Sequence, residues 1–186
     1  PETTMPTRPL TPPHPARALI TALLLCLAAG PATTQPVPID VVVEAREALR
    51  KKDAPRLAQL RERAIGHQHP LAQWVDYWEL GNRLAQAQQP ELDTFYGRWS
   101  GSYVEDRLRN DWLLELGKRR DWANFTREFP RFRMNDDREV TCYAILSEHL
   151  DADGKRPSPS IKSRALEAWL AQRELDDGCH QMATAL

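Results

Sequence analysis

The clearest hydrophobic pattern in this sequence is a stripe of apolar residues that recur every four positions. The stripe consists of Val104, Leu108, Trp112 and Leu116, with Leu113 beside it. A spacing of three or four residues places side chains on one face of an α-helix. The sequence therefore predicts a helix here, with one face directed into a hydrophobic core.

A second helix is predicted after a short basic connection, residues 117–120. Asp121 is a suitable N-cap for this helix. Three aromatic residues then share one face: Trp122, Phe125 and Phe129. Two helices joined by a tight turn form a helical hairpin, in which Trp112 and Trp122 are the large packing side chains. A hairpin with apolar residues on both faces needs similar hairpins before and after it.

A helix predicted over residues 71–84 is apolar on two opposite sides. One side carries Leu71, Trp74, Val75 and Trp78. The other side carries Tyr77, Leu80 and Leu84. A helix with two apolar faces is expected to lie between two layers. This pattern indicates a stack of helices rather than a two-layer α/β protein.

The rest of the chain continues as helices and turns, and no segment looks like a paired strand. In all, about nine helices are predicted after residue 38, in an all-α fold. The eighth is expected over residues 161–175, with Leu166, Trp169 and Leu170 facing inward. No exact repeat recurs at a fixed period, so the pattern is a looser version of tetratricopeptide-like (TPR-like) stacking.

The N-terminal segment has the features of a secretory signal peptide. Arg8 and Arg17 precede an apolar run over residues 18–29, which is too short to cross a bilayer. The small residues that follow predict cleavage after Ala32. The predicted signal peptide is therefore residues 1–32, and Met5 is the expected start of translation.

The part of the chain after the predicted cleavage site divides into a short lead-in and one domain. Residues 33–38 are rich in proline, and residues 39–186 form the helical domain. No membrane span is expected after signal removal. A lipoprotein interpretation through Cys26 is less favoured, because Leu25 lies where a small residue is expected. The predicted location is the periplasm.

Charge and cysteine content narrow the function further. The net charge is −1, and the arginines are interleaved with acids, which argues against nucleic-acid binding. Signal removal leaves two cysteines, Cys142 and Cys179, which usually pair in an exported protein. Two buried free thiols are the alternative. Two cysteines alone do not form a metal site, and no cofactor motif is recognised.

Several polar residues are candidates for functional groups. The three arginines Arg127, Arg131 and Arg133 could contact carboxylates of a glycan or peptide, but a solvated basic loop is the favoured interpretation. Adjacent Asp136 and Asp137 are better explained as a helix N-cap than as a catalytic carboxylate pair.

Two further interpretations of polar residues are weaker. His67 and His69 form a pair that a metal could use, but a solvated loop is favoured because further ligands are not suitably spaced. A complete small enzyme that uses Asp136 or Glu128 is the third function considered. Neither interpretation assigns a catalytic or metal-binding residue.

Four segments of the chain carry a family resemblance. They are residues 69–84 (HPLAQWVDYWELGNRL), residues 95–129 with the helix, turn, Asp-Trp and helix pattern, residues 141–149 (TCYAILSEH), and Cys179 after a polar turn. In this order and spacing the chain resembles the N-terminal U-shaped helical domain of the soluble lytic murein transglycosylases. The resemblance covers residues 37–186.

The resemblance implies a fold, a reaction and a disulfide. The fold would be a right-handed α-superhelix of stacked hairpins, U-shaped and TPR-like. In the family, a separate lysozyme-like domain uses a glutamate to cleave the MurNAc–GlcNAc β-1,4 bond of peptidoglycan, leaving 1,6-anhydroMurNAc ends. The Glu-Ser and Gly-Leu-Met-Gln motifs of that domain are not in this sequence, so no catalytic residue is assigned. The implied disulfide joins Cys142 and Cys179.

The resemblance also predicts which domains and ligand accompany this chain. The last residues begin an amphipathic helix without a cap or polar tail, so the chain is expected to be a C-terminally truncated fragment. Its expected partners are the linker and catalytic domains and, through the full-length enzyme, peptidoglycan. The alternative is a free-standing periplasmic TPR-like scaffold that binds a protein.

Overall fold

The computed structural model describes residues 40–152 and 156–186. Within these ranges the chain forms nine α-helices, two short 3-10 helices and no strand, so the predicted all-α class is confirmed. The α-helices are α1 (Asp40–Arg50), α2 (Ala54–Gly66), α3 (Ala72–Asn82), α4 (Gln89–Arg98), α5 (Tyr103–Arg119), α6 (Trp122–Glu128), α7 (Arg138–Asp151), α8 (Pro159–Leu170) and α9 (Asp177–Ala185). The predicted signal peptide (1–32) and lead-in (33–38) lie outside the described residues.

The helices pack against their neighbours along the chain and often against the next helix but one. Helices α1, α2 and α3 contact one another, as do α5, α6 and α7, and then α7, α8 and α9. Helix α3 also contacts α5, which connects the first group to the second. This contact pattern is expected for stacked helical hairpins. The right-handed twist and the U shape implied by the resemblance stay predictions.

Helix α3 lies between two hydrophobic clusters, as its two apolar faces predict. Val75 and Trp78 pack in the cluster formed with α1 and α2. Tyr77 and Leu80 pack in the central cluster, which α4, α5 and α6 complete. Trp74 differs from the prediction, because it packs in the central cluster with Tyr77 and not on the side of Val75 and Trp78. The helix is also shorter than predicted, and a 3-10 turn over Leu84–Gln86 follows it.

Helix α5 passes through the central cluster, and its predicted stripe is buried. All five stripe residues are at most 1% exposed: Val104, Leu108, Trp112, Leu113 and Leu116. A third cluster, the C-terminal cluster, is formed by side chains of α7, α8 and α9. Trp122 is partly buried and packs against both the central cluster and the C-terminal cluster. Gly117 lets α5 approach α7 closely, because a Cβ atom at this position would overlap the ring of Tyr143.

The α5–α6 hairpin is formed by local capping. Ser102 caps α5, and the Asp121 carboxylate accepts a hydrogen bond from the Asn124 N–H at 3.2 Å. Between the helices, Arg120 adopts a left-handed conformation with φ of 58°. Glycine is the usual residue at this C-terminal position, because it has no Cβ atom to clash. The predicted Asp121 cap is therefore confirmed, and the turn carries an unusual arginine.

Helix α8 buries a different face from the predicted one. Its buried residues are Ile161, Ala165 and Ala168. The three residues predicted to face inward are instead exposed: Leu166 (59%), Trp169 (37%) and Leu170 (72%). Small alanines allow closer approach of α8 to its neighbours α7 and α9. The α-helix also ends at Leu170, not at residue 175.

A disulfide joins α7 to α9. Cys142 and Cys179 are bonded, with a Cα–Cα distance of 4.9 Å, and both are fully buried in the C-terminal cluster. The predicted pair is confirmed, and the alternative of two free thiols is excluded. Separately, none of the helices in the described ranges is both long enough and apolar enough to span a membrane.

Candidate functional site

The three arginines proposed for glycan or peptide contact lie together at the end of α6 and in the segment that follows it. Arg127 is near the end of α6, Arg131 is in the 3-10 turn Phe129–Arg131, and Arg133 follows. Their side chains are 47%, 58% and 53% exposed, respectively. They therefore form one half-exposed basic surface, named here the arginine surface.

Each arginine of the arginine surface forms an ion pair with a carboxylate that is less exposed than the arginine itself. Arg127 and Arg131 each lie 3.5 Å from Oε1 of Glu128. Arg133 lies 3.5 Å from Asp106 and 3.6 Å from Glu105. The Asp106 carboxylate also accepts hydrogen bonds from the backbone N–H groups of Arg133 and Met134, at 2.9 and 2.8 Å. Asp106 thus fixes the loop that presents Arg133.

Glu128 is fully buried at the centre of this arrangement. Its carboxylate pairs with Arg109, which is itself 3% exposed, and accepts a hydrogen bond from Gln89 Nε2 at 3.0 Å. Gln89 in turn accepts a hydrogen bond from Trp112 Nε1 at 2.8 Å. These contacts join α4, α5 and α6. A buried ion pair needs such additional hydrogen bonds to offset the desolvation of both charges.

Tyr96 covers the other side of the buried arginine. The Arg109 guanidinium lies 3.9 Å from the centre of the Tyr96 ring, an arrangement that favours a cation–π interaction. Burial raises the pKa of the Tyr96 phenol well above its usual range. Arg109 also pairs with Glu105 at 2.7 Å. The guanidinium is therefore held in place from three sides.

The charge balance of this region favours anion contact at the surface. Four arginines (Arg109, Arg127, Arg131 and Arg133) meet three carboxylates (Glu105, Asp106 and Glu128). The three outer guanidiniums keep exposed N–H groups. Arginine binds carboxylates through paired N–H donors, so the surface suits an anionic ligand.

The same geometry argues against the small-enzyme interpretation. A catalytic acid must reach its substrate, but Glu128 is fully buried and bound to Arg109. Asp137 caps α7, because its carboxylate accepts from the Val140 N–H at 3.1 Å. Asp136 lies next to that cap at the helix start. His69 is engaged locally, since its Nδ1 accepts from the Leu71 N–H at 3.0 Å.

Sequence reasoning missed the buried partners that support the arginines. Gln89, Asp106 and Arg109 carry no recognised motif. One signal was present, because Glu105 and Arg109 are four residues apart on a predicted helix, a spacing that favours an ion pair. The partner of Arg109 on α6 is 19 residues further along the chain, and no local pattern indicates it.

A groove lies between α6, α7 and α8, and its lining includes Phe129 and Pro130 of the 3-10 turn Phe129–Arg131. It has a volume of about 720 Å³ and an apolar floor that includes Phe129 and Ile145. Five carboxylates line it, against two arginines: Asp136, Asp137, Glu148, Asp151 and Glu167. The groove is therefore acidic, in contrast to the arginine surface.

Comparisons of the chain with models of protein families, with curated proteins and with solved structures gave no match.

Proposed function

We propose that this chain is the non-catalytic helical domain of a periplasmic lytic transglycosylase, an enzyme that cleaves the MurNAc–GlcNAc β-1,4 bond of peptidoglycan. In this proposal a separate domain carries the catalytic glutamate and produces the 1,6-anhydroMurNAc ends. The helical domain would position the glycan strand or contact partner domains. The proposal starts from the resemblance of residues 69–84, 95–129 and 141–149 to that family.

The observation that carries the proposal is the disulfide between Cys142 and Cys179 in a stack of helices. Disulfides persist in oxidising compartments such as the bacterial periplasm and are rare in the cytosol. Helical stacking and this cysteine pair are both what the resemblance implies. An exported helical domain with murein as its ligand accounts for both features.

The arginine surface is the proposed contact with murein. Peptidoglycan offers carboxylates on its stem peptides, and the three arginines present half-exposed side chains next to fixed carboxylates of the protein. Such pre-positioned arginines lose little freedom on binding an anion. The predicted role is therefore retention of the glycan strand, without chemistry at this surface.

Co-sedimentation with purified murein sacculi tests the proposal. We expect the full chain to sediment with sacculi, and the triple variant Arg127→Ala/Arg131→Ala/Arg133→Ala to bind at least tenfold more weakly, since each lost charged contact contributes about 1.5–3 kcal/mol before solvent screening. The matched control is Arg46→Ala/Arg63→Ala/Arg173→Ala, which removes three exposed arginines elsewhere. Equal loss in both variants would refute a specific contact.

Two further results would change the proposal. Release of 1,6-anhydro products by this chain alone would contradict a non-catalytic domain. Failure of the wild-type chain to bind sacculi would contradict murein contact. The coding sequence downstream of Leu186 also discriminates, because a lysozyme-like segment with a glutamate supports a transglycosylase, whereas an immediate stop codon supports a free-standing scaffold.

The second candidate is a periplasmic TPR-like scaffold that binds a protein. The exposed apolar residues of α8 and the segment after it favour this candidate: Leu166, Trp169, Leu170 and Leu175. Exposed apolar patches of this kind are common at protein–protein contacts. This candidate predicts that sacculi binding is absent and that the triple arginine variant behaves like wild type.

A further inference from the structure

A second cavity lies outside the arginine surface, between the start of α6, the second half of α7 and α9. Its volume is about 520 Å³, and it is separate from the acidic groove between α7 and α8. Its lining combines one aromatic ring and two leucines with an arginine, a histidine and an amide side chain: Trp122, Leu146, Leu150, Arg120, His180 and Gln181. We name it the Trp122 pocket.

The apolar side of the pocket is held firmly in place. The Trp122 ring packs against Phe125 at 6.0 Å between centroids and against Tyr143 at 6.1 Å. Phe125 and Tyr143 are fully buried, so the indole rests on the core while part of it lines the cavity. An indole fixed in this way offers a rigid apolar surface. The C–H groups of a sugar ring pack well against such a surface, because one face of a pyranose is apolar.

The polar side of the pocket carries an uncompensated cation. Arg120 lines the pocket, and no ion pair joins it to a carboxylate within the parts of the chain that the structure describes. Its φ of 58° is in the left-handed region, where an arginine is strained and glycine is not. Lys52, Gln68 and Asn135 adopt the same conformation, so only the unpaired charge of Arg120 points to a ligand here.

A ligand for this pocket must combine an apolar ring face with a negative charge. We propose that the Trp122 pocket binds a saccharide that carries a carboxylate, with the sugar ring against Trp122 and the carboxylate on Arg120. His180 and Gln181 supply hydrogen bonds to hydroxyl or acetamido groups. N-acetylmuramic acid, with its lactyl carboxylate, has this chemistry. The identification of muramic acid rests on the proposed function, whereas the pocket chemistry does not.

The charges that line the acidic groove and the Trp122 pocket favour binding of an anionic saccharide in the Trp122 pocket. The groove between α7 and α8 is larger, but five carboxylates line it and would repel an anionic sugar. Arg120 and His180 lie in the Trp122 pocket, and none of the six side chains named above is acidic. Electrostatic complementarity therefore selects the smaller cavity.

Nuclear magnetic resonance titration of the full chain tests this site. The probes are N-acetylmuramic acid and N-acetylglucosamine, which lacks the lactyl carboxylate. We expect N-acetylmuramic acid to shift the indole N–H signal of Trp122 and to bind roughly tenfold more tightly than N-acetylglucosamine, as for one added charge-assisted contact. Equal affinity for the two sugars, or no shift of the Trp122 signal, would overturn the proposal.

Arg120→Gly is the decisive variant, because glycine accepts the left-handed backbone and the fold should not be harmed. We expect its affinity for N-acetylmuramic acid to fall about tenfold, to the level of N-acetylglucosamine, while the melting temperature is unchanged or higher. The matched control is Lys52→Gly, which removes a cation from another left-handed position (φ 55°) at the end of α1. Wild-type affinity in Arg120→Gly would refute the proposed role of Arg120.

The outcomes separate this inference from the proposed function. Binding to sacculi with no N-acetylmuramic acid binding would leave murein contact intact and refute the Trp122 pocket. N-acetylmuramic acid binding that depends on Arg120, without binding to sacculi, would support the pocket and refute murein contact by the domain.

Discussion

The middle of the molecule and its C-terminal part are held together by different kinds of contact. In the middle, the buried pair Glu128–Arg109 joins α5 and α6, and Gln89 extends the network to α4. In the C-terminal part, a disulfide joins α7 to α9. The middle also has the large aromatic core, whereas α8 buries mainly small side chains and exposes two leucines and a tryptophan.

This difference indicates why a covalent bond lies where it does. Burial of large apolar side chains is the main favourable term in folding, and α8 contributes little of it. A crosslink lowers the entropy of the unfolded chain and so compensates for a small core. In the middle, the core is already large, and the buried ion pair adds a polar contact between α5 and α6. We therefore expect loss of the buried ion pair and loss of the disulfide to affect the stability of the two regions differently.

The largest effect is expected for Glu128→Ala. This change leaves Arg109 buried without its main partner, so we expect the free energy of unfolding to fall by about 3–5 kcal/mol. Urea denaturation followed by circular dichroism measures the loss. Glu148→Ala is the matched control, because it removes a glutamate that pairs with Arg164 on an exposed surface. The control should change stability by less than about 1 kcal/mol. Similar losses in both variants would contradict a structural role for the buried pair.

Removal of the disulfide should have the next largest effect, and it should be confined to one region. The variant Cys142→Ala/Cys179→Ala opens a loop with a sequence separation of 37 residues. Chain entropy then predicts a loss of about 3–4 kcal/mol. Hydrogen exchange should show earlier opening of α8 and α9 than of α4–α6. A reductant should reproduce this in the wild type and have no effect on the variant. Uniform loss of protection along the chain would contradict the regional difference.

The smallest effect is expected at a non-covalent contact beside the disulfide. Glu139 on α7 accepts a hydrogen bond from the Gly178 N–H at the start of α9, at 3.2 Å. Burial raises the pKa of Glu139 above 4.5, and Asp176 and Asp137 raise it further, although the hydrogen bond from Gly178 opposes this. The folded state therefore holds the proton more tightly than the unfolded state.

This pKa shift predicts how Glu139→Gln depends on pH. The contribution of Glu139 to stability is complete below pH 4.5, the ordinary pKa, and is lost as the pH rises through the raised value. Glutamine does not ionise, so the variant should gain stability relative to wild type as the pH increases from 4 to 7. Thermal unfolding across this pH range measures the difference. A constant difference would contradict a raised pKa.

The sequence predicted the middle of the molecule better than the C-terminal part. Periodicity and capping residues predicted the α5 stripe and the Asp121 cap, and both are confirmed. They also predicted that α3 lies between two clusters, which is confirmed except that Trp74 packs on the other side and Leu71 is exposed. These features are local, because they depend on residues within one or two helical turns. The buried face of α8 was predicted wrongly, because Ile161, Ala165 and Ala168 face the neighbouring helices and the larger apolar residues are exposed.

The candidate site was only partly predictable for the same reason. Sequence reasoning found the three outer arginines, but it could not identify the contact between Arg109 and Glu128 or the hydrogen bond from Gln89 to Glu128, 39 residues further along the chain. The Trp122 pocket was not predicted, since its lining comes from α6, α7 and α9. Trp122 itself was singled out, but as a packing residue.

The amino-acid sequence by itself determined the helices, several of their ends and the all-α class, because hydrophobic periodicity and capping act over a few residues. Only the tertiary structure decided which face of α8 is buried, which carboxylate neutralises Arg109, and which side chains meet around Trp122. These outcomes depend on helices that are distant in sequence and close in space. Desolvation and close packing select them, and neither can be read from one segment alone.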